Sequence, residues 1–260
     1  MPYIDLLAVL VIGAAIGRIV YKMKWLTPLG ALLGGLFGAH AVVQGGLAWA
    51  VPLGVFVASG SLVGRLLGRA PADVMNEDEG PRTAAQVMAN GGWAWAALAL
   101  TPWVGAAWTY PAFVGSLAAA TADTWGTEVG TRWRSRAWSL RNGQWVQAGV
   151  SGAVSGAGTI AGVVGAGIIG ALAAVLGGLS AAAAAWITLG GIVGSLVDSV
   201  LGATLQAQYA SAEEENCADV PTSQNDILVQ GSKHITNNSV NGITTLIGIF
   251  FGLASALLSL

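Results

Sequence analysis

Three carboxylates lie in otherwise apolar surroundings: Asp123 and Glu128 in T-A-D-T-W-G-T-E-V-G, and Asp198 in G-S-L-V-D-S-V-L-G-A-T-L-Q. Ionisable groups within a membrane are expensive to keep and point to function. Amides accompany them. Gln86 and Asn90 are one helical turn apart, and Asp198, Gly202 and Gln206 fall at i, i+4 and i+8. Asn237, Asn241 and Thr245 again share a helical face, with Asn238 beside them. His40 and His234 are isolated, so no imidazole cluster competes. An all-oxygen set of this kind suits Mg²⁺, which takes one or two carboxylates and completes its shell with water and substrate phosphate. Asp123, Glu128 and Asp198 are therefore the expected catalytic and metal-binding set, with Asn241 a further ligand. Interhelical polar contact explains Asn90 or Gln206 alone, but three carboxylates together require a cation or protons. Asp123 and Glu128 are about 140° apart around an ideal helix. Sharing one ion requires a bend, expected at Gly126.

Phosphate chemistry is suggested by G-V-S-G-A-V-S-G-A-G-T-I-A-G over 149–162. A glycine-rich turn opening a helix aims backbone N–H groups at an anion. Gly152, Ser155, Gly158 and Thr159 would contribute, although close helix packing explains the small residues equally well. No Gly-Lys-Ser/Thr follows, so this is not a Walker loop. Arg82 and Lys233 could neutralise phosphates from the loops.

These residues need a membrane scaffold. Apolar residues make up 54% of the 260-residue chain and charged residues 9%, with a mean hydropathy of +0.66, against about a quarter charged in soluble domains. Apolar stretches at about 4–21, 26–43, 46–67, 83–100, 103–125, 151–177, 180–206 and 237–259 predict an all-α polytopic domain over 1–260 with eight spans. A count of seven is also compatible. Arg18, Lys22 and Lys24 fall at the first junction, Arg65, Arg69 and Arg82 at the third, Arg132, Arg134, Arg136 and Arg141 at the fifth, and Lys233 at the seventh. Basic residues stay on the cytoplasmic side, so both termini are expected outside. The first stretch lacks a basic start and reads as a retained span, not a signal peptide.

Cys217 is the lone cysteine, which excludes an internal disulfide. Asp73, Glu77, Asp78 and Glu79, and likewise Glu213, Glu214, Glu215, Asp219 and Asp226, read as solvated acidic loops. Asn142-Gly143, flanked by R-A-W-S and Q-W-V-Q, predicts a β-hairpin with a two-residue turn in the fifth loop.

Several motifs together resemble an integral membrane family of unknown function. That family includes transmembrane protein 19 and the chloroplast phytyl-phosphate kinase of tocopherol synthesis. Leu26-Thr27-Pro28 with Gly30 resembles its L-T-x-x-G, and Arg82 through Gly91 its R-x-x-x-Q-V-x-A-N-G. Ala122-Asp123-Thr124-Trp125 with Glu128 and Gly130 resembles A-D-T-W-A-S-E-x-G. Asp198-Ser199 through Gln206 resembles D-S-x-x-G-A-x-x-Q, and Asn237-Asn238 with Val240-Asn241 resembles N-N-x-V-N. The turn at 149–159 departs from the family's G-T-N-G-G-V-S-x-x-G-T, lacking its Thr-Asn pair.

The resemblance implies a kinase converting an isoprenoid (phytyl or prenyl) monophosphate to the diphosphate, with CTP a candidate donor, Mg²⁺ required and the active site at the cytoplasmic face. The implied setting is a prokaryotic inner membrane. Membrane lipids are the expected surroundings, a homo-oligomer is compatible, and nucleic acid is not an expected partner. An ion-coupled carrier is the alternative, since intramembrane Asp and Asn also serve transport. A CDP-alcohol phosphotransferase would need a denser Asp array.

Overall fold

The computed structural model describes residues 5–68, 80–133, 136–210, 217–221, 223 and 226–258. Arg69, Arg134 and the acidic runs 73–79 and 213–215 lie outside them. Among the described residues, eight α-helices form where eight apolar stretches were expected: α1 Leu6–Lys22, α2 Pro28–His40, α3 Leu47–Leu66, α4 Ala84–Val104, α5 Ala106–Arg132, α6 Gly156–Gly177, α7 Ala181–Thr204 and α8 Asn237–Ala256. Local chemistry sets their starts. Asp5, Thr27, Ser155, Ser180 and Thr236 each accept a backbone N–H three residues on. Thr83 and Gln86 form a reciprocal capping box, satisfying two backbone donors that a helix start leaves open. Helices α3, α6, α7 and α8 are long and apolar enough to cross a membrane.

The second stretch does not stay α-helical. At Ala41–Gly45 it widens into a π-turn. There the Trp95 indole donates to His40 Nδ1 (3.0 Å), His40 Nε2 donates to Gln44 Oε1 (3.0 Å), and Gln44 Nε2 donates to the Leu98 carbonyl (2.6 Å). His40 is thus a structural link between α2 and α4.

Helix α5 is the hub, packing against α3, α4, α6, α7 and α8. Its stretch Thr109–Ala122 is wholly buried. Glycine permits the closest approaches: a Cβ on Gly115 would run into the Gly248 backbone of α8, and one on Gly158 would lie 2.6 Å from the Gly126 carbonyl of α5. Small residues let membrane helices pack in this way.

The loops that carry basic residues gather at one end of the bundle. Arg82 N donates to the Trp25 carbonyl, Thr27 N to the Arg82 carbonyl, and Ala207 N to the Ile235 carbonyl. Arg65 donates to the Met23 carbonyl and Arg132 Nε to the Gly68 carbonyl. Two small sheets cover this end. In the first, β1 Arg136–Ser139 pairs with β2 Trp145–Gln147 and with β3 Ala153–Val154, all antiparallel. The expected hairpin is present, but its turn is longer than two residues. Gly143 alone takes positive φ (65°), and its N–H bonds back to the Ser139 carbonyl. The second sheet lies in the seventh loop, for which no strands were predicted and whose acidic residues were read as solvated. Strand β4 Gln208–Ala210 pairs with β5 Cys217–Ala218 and β6 Ile227–Gln230.

Candidate functional site

A cavity of about 140 Å³ opens at the loop-covered end, between α5, α6, α7 and the turn 148–155. Asp123 enters it from α5 and Asp198 from α7. Ser155, Gly158 and Thr159 line it at the start of α6, and Asn237 at the start of α8. Two α7 hydroxyls, Ser195 and Ser199, face the same space, and Val163, Ile192 and Leu196 form its apolar side. By helical rise, Asp123 lies about 14 Å and Asp198 about 9 Å from the ends of their helices, toward the loop-covered end.

Each element has a local reason for its place. Gly152 takes φ 75°, and a Cβ there would run into the Ala203 backbone of α7, so the turn can lie directly on the end of α7. The Ser155 hydroxyl caps α6 by accepting from Gly158 N at 3.1 Å, and Thr159 Oγ1 donates to the Ser155 carbonyl at 2.9 Å. Both hydroxyls already serve the helix. What α6 offers an incoming anion is its first-turn backbone and the positive end of its dipole. The second sheet holds the turn from the other side. Gln208 Nε2 donates to the Ser151 carbonyl at 3.4 Å, and Gln230 Nε2 to the Gly202 carbonyl at 2.9 Å. Asp198 accepts from buried Thr244 Oγ1 of α8 at 3.1 Å.

The sequence missed one charged cavity residue. Asp219 follows β5 and lines the same space. It looks like the tail of an acidic run, with only Asn216, Cys217 and Ala218 between it and Glu213–Glu215.

Other expected site residues go elsewhere. Helix α5 runs unbroken through Gly126, so the predicted bend does not form. Glu128 faces α3, where a Cβ on Gly64 would collide with its carboxylate. Glu128 Oε2 pairs with Arg132 at 2.5 Å, both side chains being about one-seventh exposed. It is not brought together with Asp123 and Asp198. Gln206 lies past the end of α7, bridged to Ser232, with its side-chain N–H₂ buried and lacking an acceptor among the described residues. It leaves the Asp198 face because the helix ends first. Asn241 is buried deeper in α8 than Asn237, and its carbonyl accepts from Thr245, which also donates to the Ala89 carbonyl of α4. The Asn238 Oδ1 is buried without a donor among the described residues, and Lys233 is exposed in a turn. Gln86 and Asn90 serve α4 itself, one in the capping box and one donating to the Gln86 carbonyl. With Arg82 they line a second cavity on the other side of α5.

Among the described residues lining the first cavity there are three Asp and no Lys or Arg. Among the described residues no three His, Cys, Asp or Glu side chains converge to metal-binding distance. A lining of carboxylates and hydroxyls, with no His or Cys among the described residues, matches a hard divalent cation held by one or two carboxylates, with its remaining positions left to water or phosphate.

The model of a family described as integral membrane protein DUF92 matches residues 11–249. No curated protein and no solved structure matches the chain.

Proposed function

Because this chain belongs to the integral membrane protein family DUF92, we propose that it is a membrane kinase that phosphorylates an isoprenoid monophosphate to the diphosphate at its acidic cavity. The donor is a nucleoside triphosphate, CTP being the candidate. In this reading all eight helices cross a prokaryotic inner membrane, with the loop-covered end cytoplasmic and both termini outside. The observation that carries the reading is the convergence of Asp123, Asp198 and the start of α6 in one cavity toward the end of the bundle. A carrier would place its site near the bilayer midplane.

In the reaction, an oxygen of the lipid monophosphate attacks the γ-phosphorus. The bond from that phosphorus to the bridging oxygen breaks, and the nucleoside diphosphate leaves. A dianionic acceptor needs no general base, so catalysis rests on alignment and charge stabilisation. Asp123 and Asp198 would hold Mg²⁺. Bound there, the ion would neutralise charge on the transferring phosphoryl group and draw the two anionic substrates together. The first-turn N–H groups of α6 would bind phosphate oxygens, and Asn237 would orient them. Thr244 keeps Asp198 in place through their hydrogen bond. The lipid chain would follow Val163, Ile192 and Leu196 out of the cavity, since Val163 and Leu196 are exposed on the bundle surface.

The test is direct. Purified protein receives phytyl or geranylgeranyl monophosphate, Mg²⁺ and each nucleoside triphosphate in turn, and the diphosphate is sought by mass spectrometry. Product from the wild type and none from Asp123→Asn supports the kinase. Absence of product from folded protein with every donor and chain length sinks it and favours the carrier, to be followed by flux assays.

A further inference from the structure

Across α5 from the acidic cavity lies the second one, of about 200 Å³, walled by α1 to α4. Phe37, Leu53, Phe56 and Val87 give it an apolar wall, and Arg82 and Trp25 lie in its lining. The Arg82 backbone is fixed on both sides, by the Trp25 carbonyl at 2.9 Å and the Thr27 N–H at 3.0 Å. Its guanidinium stands over the Phe56 ring, 6.0 Å from the centroid. It also presses on α3, where a Cβ on Gly60 would lie 2.9 Å from one guanidinium nitrogen and 3.0 Å from the Thr124 methyl.

Its situation differs from that of its neighbours. Arg132 pairs with Glu128, and Arg65 donates to the Met23 and Lys24 carbonyls. Among the described residues, no side-chain hydrogen bond or ion pair reaches the Arg82 guanidinium. The Trp25 indole N–H is likewise buried with no acceptor among them. A cation half withdrawn from water beside apolar walls is costly without an anion. An Arg fork matches phosphate or carboxylate oxygens bidentately. A dry cavity of about 150 Å³ already holds a small hydrocarbon, so this one has room for a stretch of chain.

We propose that this second cavity binds a single-chain amphiphile with an anionic, oxygen-rich head. The head meets Arg82 and Trp25, and the chain lies along Phe37, Leu53 and Val87. The site is separate from the acidic cavity, because Thr124 faces Arg82 while its neighbour Asp123 faces the other way. The proposal does not rest on the kinase reading.

The test is native mass-spectrometric titration of the whole protein in a neutral maltoside. The probes are hexadecyl phosphate, hexadecanol and inorganic phosphate. With Mg²⁺ withheld and a chelator present, so that the acidic cavity has no cation to hold an anion, one hexadecyl phosphate should bind per chain, about tenfold or more tighter than either of the other two, as expected for a charge-assisted bidentate contact added to chain burial. Arg82→Gln should lose about tenfold, having removed the cation and no observed side-chain hydrogen bond. Gly54→Leu should lose at least as much. Gly54 lines the cavity and an added Cβ there meets nothing within 4 Å, so the backbone position accepts a side chain, and leucine there takes up cavity space and favours the helix. Asp123→Asn should bind like the wild type even if it makes no diphosphate. Equal binding of hexadecanol would mean unspecific chain filling, equal binding of inorganic phosphate a free-anion site, and undiminished binding by both cavity variants a different location. Each of these overturns the proposal.

Discussion

Glu128→Gln separates structure from chemistry at the end of α5. The carboxylate lies 2.5 Å from Arg132 Nη1, and the two side chains are 14% and 15% exposed. Breaking a well-buried pair by removing one charge costs about 3–5 kcal/mol. Two features lower that figure here. Gln keeps the shape and can still accept from Arg132, and Arg132 retains its Nε bond to the Gly68 carbonyl at 2.8 Å. The expected loss is about 1 kcal/mol, near the difference between a charge-assisted and an ordinary hydrogen bond. For a chain of this size that lowers the unfolding temperature by about 2–4 °C. The assay is thermal unfolding in detergent of the wild type, Glu128→Gln, Arg132→Met and the double variant, each with and without Mg²⁺. The cycle should give a coupling of about 1 kcal/mol or more. The Mg²⁺-induced rise should be unchanged in Glu128→Gln and reduced in Asp123→Asn and Asp198→Asn. A Glu128→Gln protein as stable as the wild type, but blind to Mg²⁺, would refute this placement of the carboxylate.

Thr244→Val should cost about 1–2 kcal/mol in detergent unfolding, because it strips a donor from the Asp198 carboxylate, and Thr244→Ser should recover most of it. Gly158→Ala should cost about 1–3 kcal/mol by forcing α6 off α5, whereas Gly156→Ala, whose Cβ meets nothing within 4 Å, should be neutral or stabilising in the same melt. In sealed inner-membrane vesicles with Cys217→Ser, a thiol at Gln144→Cys on the hairpin should label only from the cytoplasmic side, and one at Val104→Cys only from the opposite side.

The helices were legible because burial in a membrane leaves a plain trace: long apolar stretches bounded by caps such as Thr83 and Ser155. The clustering of basic loops at one end was legible for the same reason. The hairpin was readable from Asn142-Gly143, though only Gly143 takes the left-handed conformation, so the two-residue turn was not. What could not be read were orientations fixed by neighbours far along the chain. Glu128 turns to α3 because Gly64 leaves room for it and Arg132 follows one turn later. Arg82 was expected beside the carboxylates, but α5 stands between them. Gln206 matches the Asp198 face only if α7 continues, and the helix stops at Thr204. The sheet β4–β6 was hidden because acidic loop composition masks short strands, and Asp219 was hidden with it.

The central claim is phosphoryl transfer at the cavity of Asp123 and Asp198. The measurement closest to it is the rate of diphosphate formation from an isoprenoid monophosphate by the wild type, Asp123→Asn, Asp198→Asn and Glu128→Gln, reconstituted identically in lipid. Mg²⁺-dependent product from the wild type and Glu128→Gln, with a loss of about a hundredfold or more in both aspartate variants, is the predicted outcome for removed charge stabilisation. Equal rates in the wild type and both aspartate variants would contradict it.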